Sequence, residues 1–301
     1  MGRTTTIPWE FDLMASVKSL ACTFAVSVCV CIAFAGSVSA EEAAPTEHTL
    51  NYKTVSVKGK DVELKIDWTR PADWKATDSR PAVVFFHGGG WTGGAPGQFA
   101  EHSIELAKLG MVCFRGQYRL LDKKNKDAPD ICVEDASDAF EYVRSHASEF
   151  GIDPERIAAG GGSAGGHLAA YLGMMDDTKS DVSRKPAALL LFNPVYDNGP
   201  GGWGTARVGD QYAKYSPAHN ITADDPPSIV FLGTNDKLIP VATAEKFRDD
   251  CKRVGVNSEL HLYEKQPHGF FNAKKGGKDE YYRDTLAKSV NFLTELGWVQ
   301  P

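Results

Sequence analysis

Six apolar runs recur along the chain, at 82–87, 111–116, 156–160, 187–194, 228–233 and 258–264, and helical patterns fill most of the gaps between them. Stretches such as Val83-Val-Phe-Phe86 and Ala188-Leu-Leu-Leu-Phe192 are apolar at every position, as strands covered on both faces must be. Helices are expected at 98–109, 131–148, 164–175, 240–254 and 280–296, with Gly110, Gly151, Gly255 and Gly297 past four of their ends as stops. Two amphipathic strands near 50–57 and 61–68 come first. The expectation is an α/β domain, with a mostly parallel sheet of about eight strands and helices on both faces.

Chemistry enters at residues 160–168, Gly-Gly-Gly-Ser-Ala-Gly-Gly-His-Leu, where Ser163 sits in a Gly-x-Ser-x-Gly frame between an apolar run and a helix-forming stretch. A serine on so tight a strand-to-helix turn needs small neighbours, which Gly161 and Gly165 supply. The helix that follows aims free N–H groups at the reacting centre, where negative charge would develop. Gly160, Gly162 and Gly165 also satisfy the Gly-x-Gly-x-x-Gly dinucleotide pattern. That match lies mid-chain, and Asp176 and Asp177 fall at the end of the same helix instead of after the next strand. An inert serine in a glycine-rich turn is the other bland reading, so partners elsewhere decide.

Those partners occur in a consistent order. Residues 83–91 run from an apolar strand into His87-Gly-Gly-Gly-Trp91, whose bare backbone amides can approach a substrate carbonyl beside that of Ala164. After Ser163, the strand at 228–233 ends in a loop with Asp236, and the strand at 258–264 leads to His268. Serine, acid, histidine is the chain order of α/β-hydrolase triads. His261 alternates with Leu260 and Leu262 inside a strand and reads as that strand's other face. Asp197 follows another strand and is the weaker acid candidate. His87 reads as a turn support and His167 as a residue facing into its helix, with no proton transfer required of either.

Together, His87-Gly-Gly-Gly-Trp91, Tyr118-Arg-Leu120, Asp153-Pro-Glu-Arg-Ile157, Gly161-Gly-Ser-Ala-Gly-Gly166, Gly233-Thr-Asn-Asp236 and Pro267-His-Gly-Phe270 resemble the hormone-sensitive-lipase-like esterases of the α/β-hydrolase superfamily. The likeness runs from about residue 50 to 298. It implies an α/β-hydrolase fold and a serine carboxylesterase with Ser163 as nucleophile and Asp236 and His268 as its relay. The amides of Gly88, Gly89 and Ala164 would surround the oxyanion. Two departures stand out: the family's acid before the serine is Gly162 here, and little precedes the first strand where relatives often carry cap helices. A formamidase or peptidase would use the same constellation, and a non-catalytic carbohydrate- or partner-binding relative would lose it.

Residues 1–40 read as a signal peptide, with an uncharged apolar core from Leu20 to Phe34, Lys18 as its positive flank and Val38-Ser-Ala40 as a cleavage site. Glu10 and Asp12 are unlike a leader and make Met14 an alternative start. The expected product is an exported, periplasmic or secreted, single domain over 41–301 with no stable membrane attachment, a single N-terminal anchor helix being the alternative. The net charge of −6 gives no attraction to nucleic acid. Cys113, Cys132 and Cys251 are too widely spaced for a disulfide framework or a zinc site, and no cofactor or metal is implied. The Gly- and Pro-rich segment 195–227 reads as an active-site insertion. Together with Trp91, Trp203, Phe270 and Phe271 it is expected to frame a wide, shallow pocket with exposed aromatics, suited to acetyl or other short acyl groups on a small-molecule or carbohydrate ester.

Overall fold

The structure, a computed structural model, describes residues 44–175, 182–274 and 279–300. The signal segment, Met14, Asp176 and Asp177 lie outside the described residues. Residues 42–301 form one compact unit around an eight-stranded sheet. Its strands are β1 (Thr46–Val57), β2 (Lys60–Arg70), β3 (Arg80–Phe86), β4 (Val112–Gly116), β5 (Ile152–Gly162), β6 (Ala188–Phe192), β7 (Ser228–Gly233) and β8 (Ser258–Tyr263), in spatial order β1-β2-β4-β3-β5-β6-β7-β8. The first two pairings are antiparallel and all the others parallel. This is the α/β-hydrolase architecture.

Helices α1 (Ala100–Lys108), α2 (Asp130–Ser145), α3 (Ala164–Met174), α5 (Val241–Arg253) and α6 (Glu280–Glu295) match the sequence expectation; α4 (Thr205–Val208) is a single extra turn. Alternation along the strands divides the core. Val84, Phe86, Leu189, Leu191, Val230 and Leu232 pack with residues of α2, α3 and α5. Val83, Phe85, Leu190, Phe192, Ile229 and Phe231 pack with Leu106 of α1 and Phe292 and Leu293 of α6. The strands are apolar at every position because each face has its own helical layer.

Three details differ from the expectation. Pro96 starts a 3-10 turn over Pro96–Phe99, so α1 begins two residues later than the apolar pattern alone suggests. β5 starts early because Ile152 pairs with Arg80, and the register then shifts before Ala82 meets Ile157. In that bulge Asp153 accepts from the Glu155 amide and Arg156 Nε, while Arg156 Nη2 donates to the Ser79 carbonyl. Segment 195–227 holds α4 and 3-10 turns at Gly209–Lys214 and Pro217–His219 instead of an irregular loop.

At the antiparallel edge, a two-residue turn with positive φ at Lys58 and Gly59 closes the β1–β2 hairpin. Lys53 of β1 reaches Asp135 (2.8 Å) and Asp138 (2.5 Å) of α2, and Arg119 Nε meets Asp135 at 2.7 Å. Asp135 is buried and also accepts the Arg119 amide. Glu134, Asp135 and Asp138 are the only carboxylate cluster of metal-binding size among the described residues, and these cations already face it. Cys113, Cys132 and Cys251 are buried free thiols.

Candidate active site

β5 and α3 meet at Ser163, whose backbone is forced to φ 54°, ψ −117°, a region that L residues avoid. The turn survives because a Cβ at Gly161 would collide with the Gly165 carbonyl, and one at Gly165 with the Phe86 carbonyl. The Ser163 amide donates to Phe192 O (2.9 Å), tying the elbow to β6. Gly162, where the resemblance leads one to expect an acid, is also dictated by space: a Cβ there would lie 2.5 Å from Phe271 Cζ. The Phe271 ring fills the volume an acidic side chain would need.

Loops after β7 and β8 deliver the other two expected groups. His268 Nε2 lies 2.9 Å from Ser163 Oγ, and His268 Nδ1 lies 2.7 Å from Asp236 Oδ2. Asp236 Oδ1 accepts the amides of Leu238 (2.8 Å) and Ile239 (3.1 Å). Burial pushes the Asp236 carboxyl upward, but the His268 hydrogen bond and these amides outweigh it and hold its pKa below the usual value. An ionised Asp236 accepts only, so Nδ1 carries the proton and Nε2 is left to accept the serine hydroxyl. The arrangement can deprotonate Ser163 toward a carbonyl and return the proton to a leaving group.

The competing candidates sit elsewhere. Asp197 accepts the Gly199 amide at 3.0 Å and faces His219 at 3.7 Å. His261 stacks on Phe231 and meets Glu259 at 3.2 Å. Buried His87 donates from Nδ1 to the Gly88 carbonyl and stacks on Tyr118, whose hydroxyl donates to the His87 carbonyl. Buried His167 donates from Nε2 to Tyr215 O (2.7 Å) and pins segment 195–227 to α3.

The glycine loop needs one correction. The Gly88 amide is occupied, donating to Gln98 Oε1 at 2.6 Å, so it is not an open oxyanion donor. The amides of Gly89, Gly90 and Ala164 have no acceptor among the described residues. The aromatic walls need another. Trp91, at φ 61°, turns inward between His167 (4.9 Å) and Trp203 (5.0 Å) and is fully buried. Phe270 packs on Tyr263 and Tyr281, and Phe271 joins the Phe99–Phe192 cluster; both are buried. Trp203 alone of the four keeps some surface, and its indole edge would lie 3.6 Å from a Cβ on Gly90. A groove of about 560 Å³ flanks the glycine loop, lined by His87, Gly94, Pro96, Tyr118, Leu120 and Ile131.

Three polar residues near the triad escaped the motif reading. Asn193, buried just past β6 at φ 35°, accepts the Gly269 amide at 2.9 Å and places Nδ2 3.4 Å from His268 Nε2. Gln98 and Asn272 hydrogen-bond to each other at 2.9 Å. Their one sequence signal is position: an uncharged amide close behind each motif.

The chain resembles known ester hydrolases. A model of the BD-FAE family matches residues 66–192. The chain is 32% identical over 215 residues to the probable carboxylic ester hydrolase LipM of Mycobacterium tuberculosis, covering 62% of this chain and 48% of LipM. It is 35% identical to the carboxylic ester hydrolase LipN of the same organism, covering 72% of this chain and 64% of LipN. It thus spans about half to two thirds of those relatives. The apo form of Thermogutta terrifontis esterase 2 superimposes with a TM-score of 0.77 at 39% identity, covering 84% of this chain and 96% of that one. An α/β-hydrolase by its sheet and its nucleophile turn, the chain belongs to the hormone-sensitive-lipase-like carboxylesterases.

Proposed function

We propose that this protein is a serine carboxylesterase for short-chain acyl esters. The observation that carries the reading is the unbroken series Asp236, His268, Ser163 at hydrogen-bonding distances. His268 takes the hydroxyl proton as Ser163 Oγ attacks the ester carbonyl, and Asp236 stabilises the resulting imidazolium. The oxyanion is received by the amides of Gly89 and Ala164, with Gly90 beside them. His268 then gives its proton to the leaving alcohol, and water repeats the cycle on the acyl-enzyme.

A small acyl preference is supported by Trp203, whose ring lies over the glycine loop at Gly90, and by relatives. Structures of Thermogutta terrifontis esterase 2 are described as propionate-bound and butyrate-bound. We extend that size range to this chain and include acetyl. On the alcohol side, Trp203, the partly exposed ring among the four expected aromatics, could cover a sugar face, which supports acetylated carbohydrate as a substrate. Residues 1–40 have the composition of an export signal, and we place the mature enzyme outside the cytoplasm.

The test is kcat/KM on acetyl, butyryl, octanoyl and palmitoyl esters of one alcohol, with acetate release from acetylated xylan alongside. Activity falling beyond butyryl is expected, and a rise toward octanoyl overturns the acyl assignment. No acetate from xylan, with good activity on simple acetates, removes the carbohydrate part alone. Paraoxon should add one phosphoryl group to the Ser163 peptide, as Thermogutta terrifontis esterase 2 is described phosphorylated by paraoxon.

A further inference from the structure

Four hydrogen bonds run in series from the glycine loop to the histidine loop. The Gly88 amide donates to Gln98 Oε1 (2.6 Å), and Gln98 Nε2 donates to Asn272 Oδ1 (2.9 Å). Asn272 Nδ2 donates to the Gly269 carbonyl (2.8 Å), and the Gly269 amide donates to Asn193 Oδ1 (2.9 Å). Gln98 and Asn272 are 174 residues apart in sequence. The series has a fixed polarity. It begins at a backbone N–H, which can only donate, and reaches the carbonyl of Gly269, which can only accept. Each intervening side chain must therefore accept at one end and donate at the other, which a carboxamide does and a carboxylate or ammonium does not.

We infer that Gln98 and Asn272 are positioning residues whose paired amides set the distance and orientation between the glycine loop and His268. This rests on the esterase reading for its catalytic consequence, but the mechanical link is independent of it. Gly88 precedes the open amide of Gly89, and Gly269 follows His268, so the series joins the loop that receives charge to the loop that moves the proton. Asn193 anchors the far end, held in turn by its own amide donating to Phe231 O at 2.7 Å. Neither Gln98 nor Asn272 contacts the reacting atoms.

The experiment compares Gln98→Met, Asn272→Ala and the double variant with the unaltered protein. Active sites are counted by paraoxon titration, and backbone hydrogen exchange is followed over 86–91 and 266–273. Each single change should lower kcat per active site by about tenfold to a hundredfold with KM little moved, since small misplacements of reacting groups have effects of that order. The double variant should lose no more than the worse single one. Either single change should speed exchange in both segments. Losses that multiply in the double variant, or exchange that rises only beside the altered residue, overturn the proposal. Gln98→Glu covers the case in which Gln98→Met fails to fold: it keeps an acceptor for Gly88 but sets an oxygen against Asn272 Oδ1. Exchange should then rise in 266–273 while 86–91 stays protected; equal protection of both segments overturns the link. An unaltered protein that neither turns over esters nor takes up phosphoryl sinks the esterase reading, while the exchange data still decide the link.

Discussion

At the hairpin edge of the sheet, Lys53, Arg119 and Arg184 meet Glu134, Asp135, Asp138 and Glu141. At the carboxyl ends of the central strands, Gln98, Asn193 and Asn272 do the fastening with no formal charge. Both networks hold segments distant in sequence, but only the second lies beside His268, the base of the proposed mechanism. Asp236 already sets one carboxylate against the His268 ring, and a further unit charge about 4 Å away would add an interaction of about 4 kcal/mol with the imidazolium at an effective dielectric of 20. Amides fix geometry through direction and leave the field nearly unchanged, whereas the hairpin edge contains nothing that titrates in the reaction and tolerates ion pairs.

The sharpest separation between the regions should come from the triad. Ser163→Ala and His268→Ala should each lower kcat by on the order of 10⁴-fold or more with unchanged unfolding curves, and Asp236→Asn by somewhat less. At the charged edge the effect should be on folding alone. Asp135→Asn leaves Arg119 and Lys53 short of their buried partner and should cost about 3 kcal/mol in a denaturant melt, with kcat/KM per folded molecule unchanged. A large kcat loss in Asp135→Asn would erase the contrast.

Acid separates the two regions differently. kcat/KM should fall in acid, because the proposed base acts only when neutral. Stability has its own acid limb, to which buried His87, His102 and His167 all contribute, each held below the usual imidazole value by burial. Burial pushes His102 down to about 3, and His167 to about 4 despite the Tyr215 carbonyl that favours its charged form. Both bind a proton more readily when unfolded, so the stability they allow is complete above about pH 6.5 and falls below it. The fall is about 1.4 kcal/mol per pH unit for each imidazole, down to its folded pKa. His102, whose ring nitrogens have no hydrogen-bond partner among the described residues and sit in a cage of Phe85, Phe99, Phe192, Phe271 and Tyr282, is the cleaner probe. His102→Leu should make the decline between pH 7 and 5 shallower, measured by urea melts, and an unchanged slope would remove His102 from the account. The smallest effect should be Asp197→Asn. It perturbs only the Gly199 amide and His219, and kcat should stay within about twofold. A deeper loss than in Asp236→Asn would reassign the acid.

The sheet and the Ser163, Asp236 and His268 positions were legible because each is a local pattern: an apolar strand followed within a few residues by a loop with one chemical group. The three aromatics misled for a geometric reason. Trp91 follows a glycine triplet and looks like a pocket wall, but its positive φ swings the indole under the loop. Phe270 and Phe271 follow the histidine yet point into the layer beneath it. Gly88 was misjudged because its amide is taken by a side chain ten residues on, across a 3-10 turn that the apolar pattern did not announce. The Gln98–Asn272 bond has no local signature, since neither residue lies in a repeating pattern and the two meet only once the sheet is assembled.

The contact between position 162 and Phe271 makes two letters of the sequence into one variable. A library that randomises 162 alone should return glycine, and one that randomises 271 alone should keep a large flat ring. Randomised together, the two positions should yield matched pairs in which bulk gained at one is surrendered at the other. An acid before the serine is thus within reach of this scaffold only by a double step through an overfilled or hollow intermediate, which is reason enough for the glycine to persist once it has arisen.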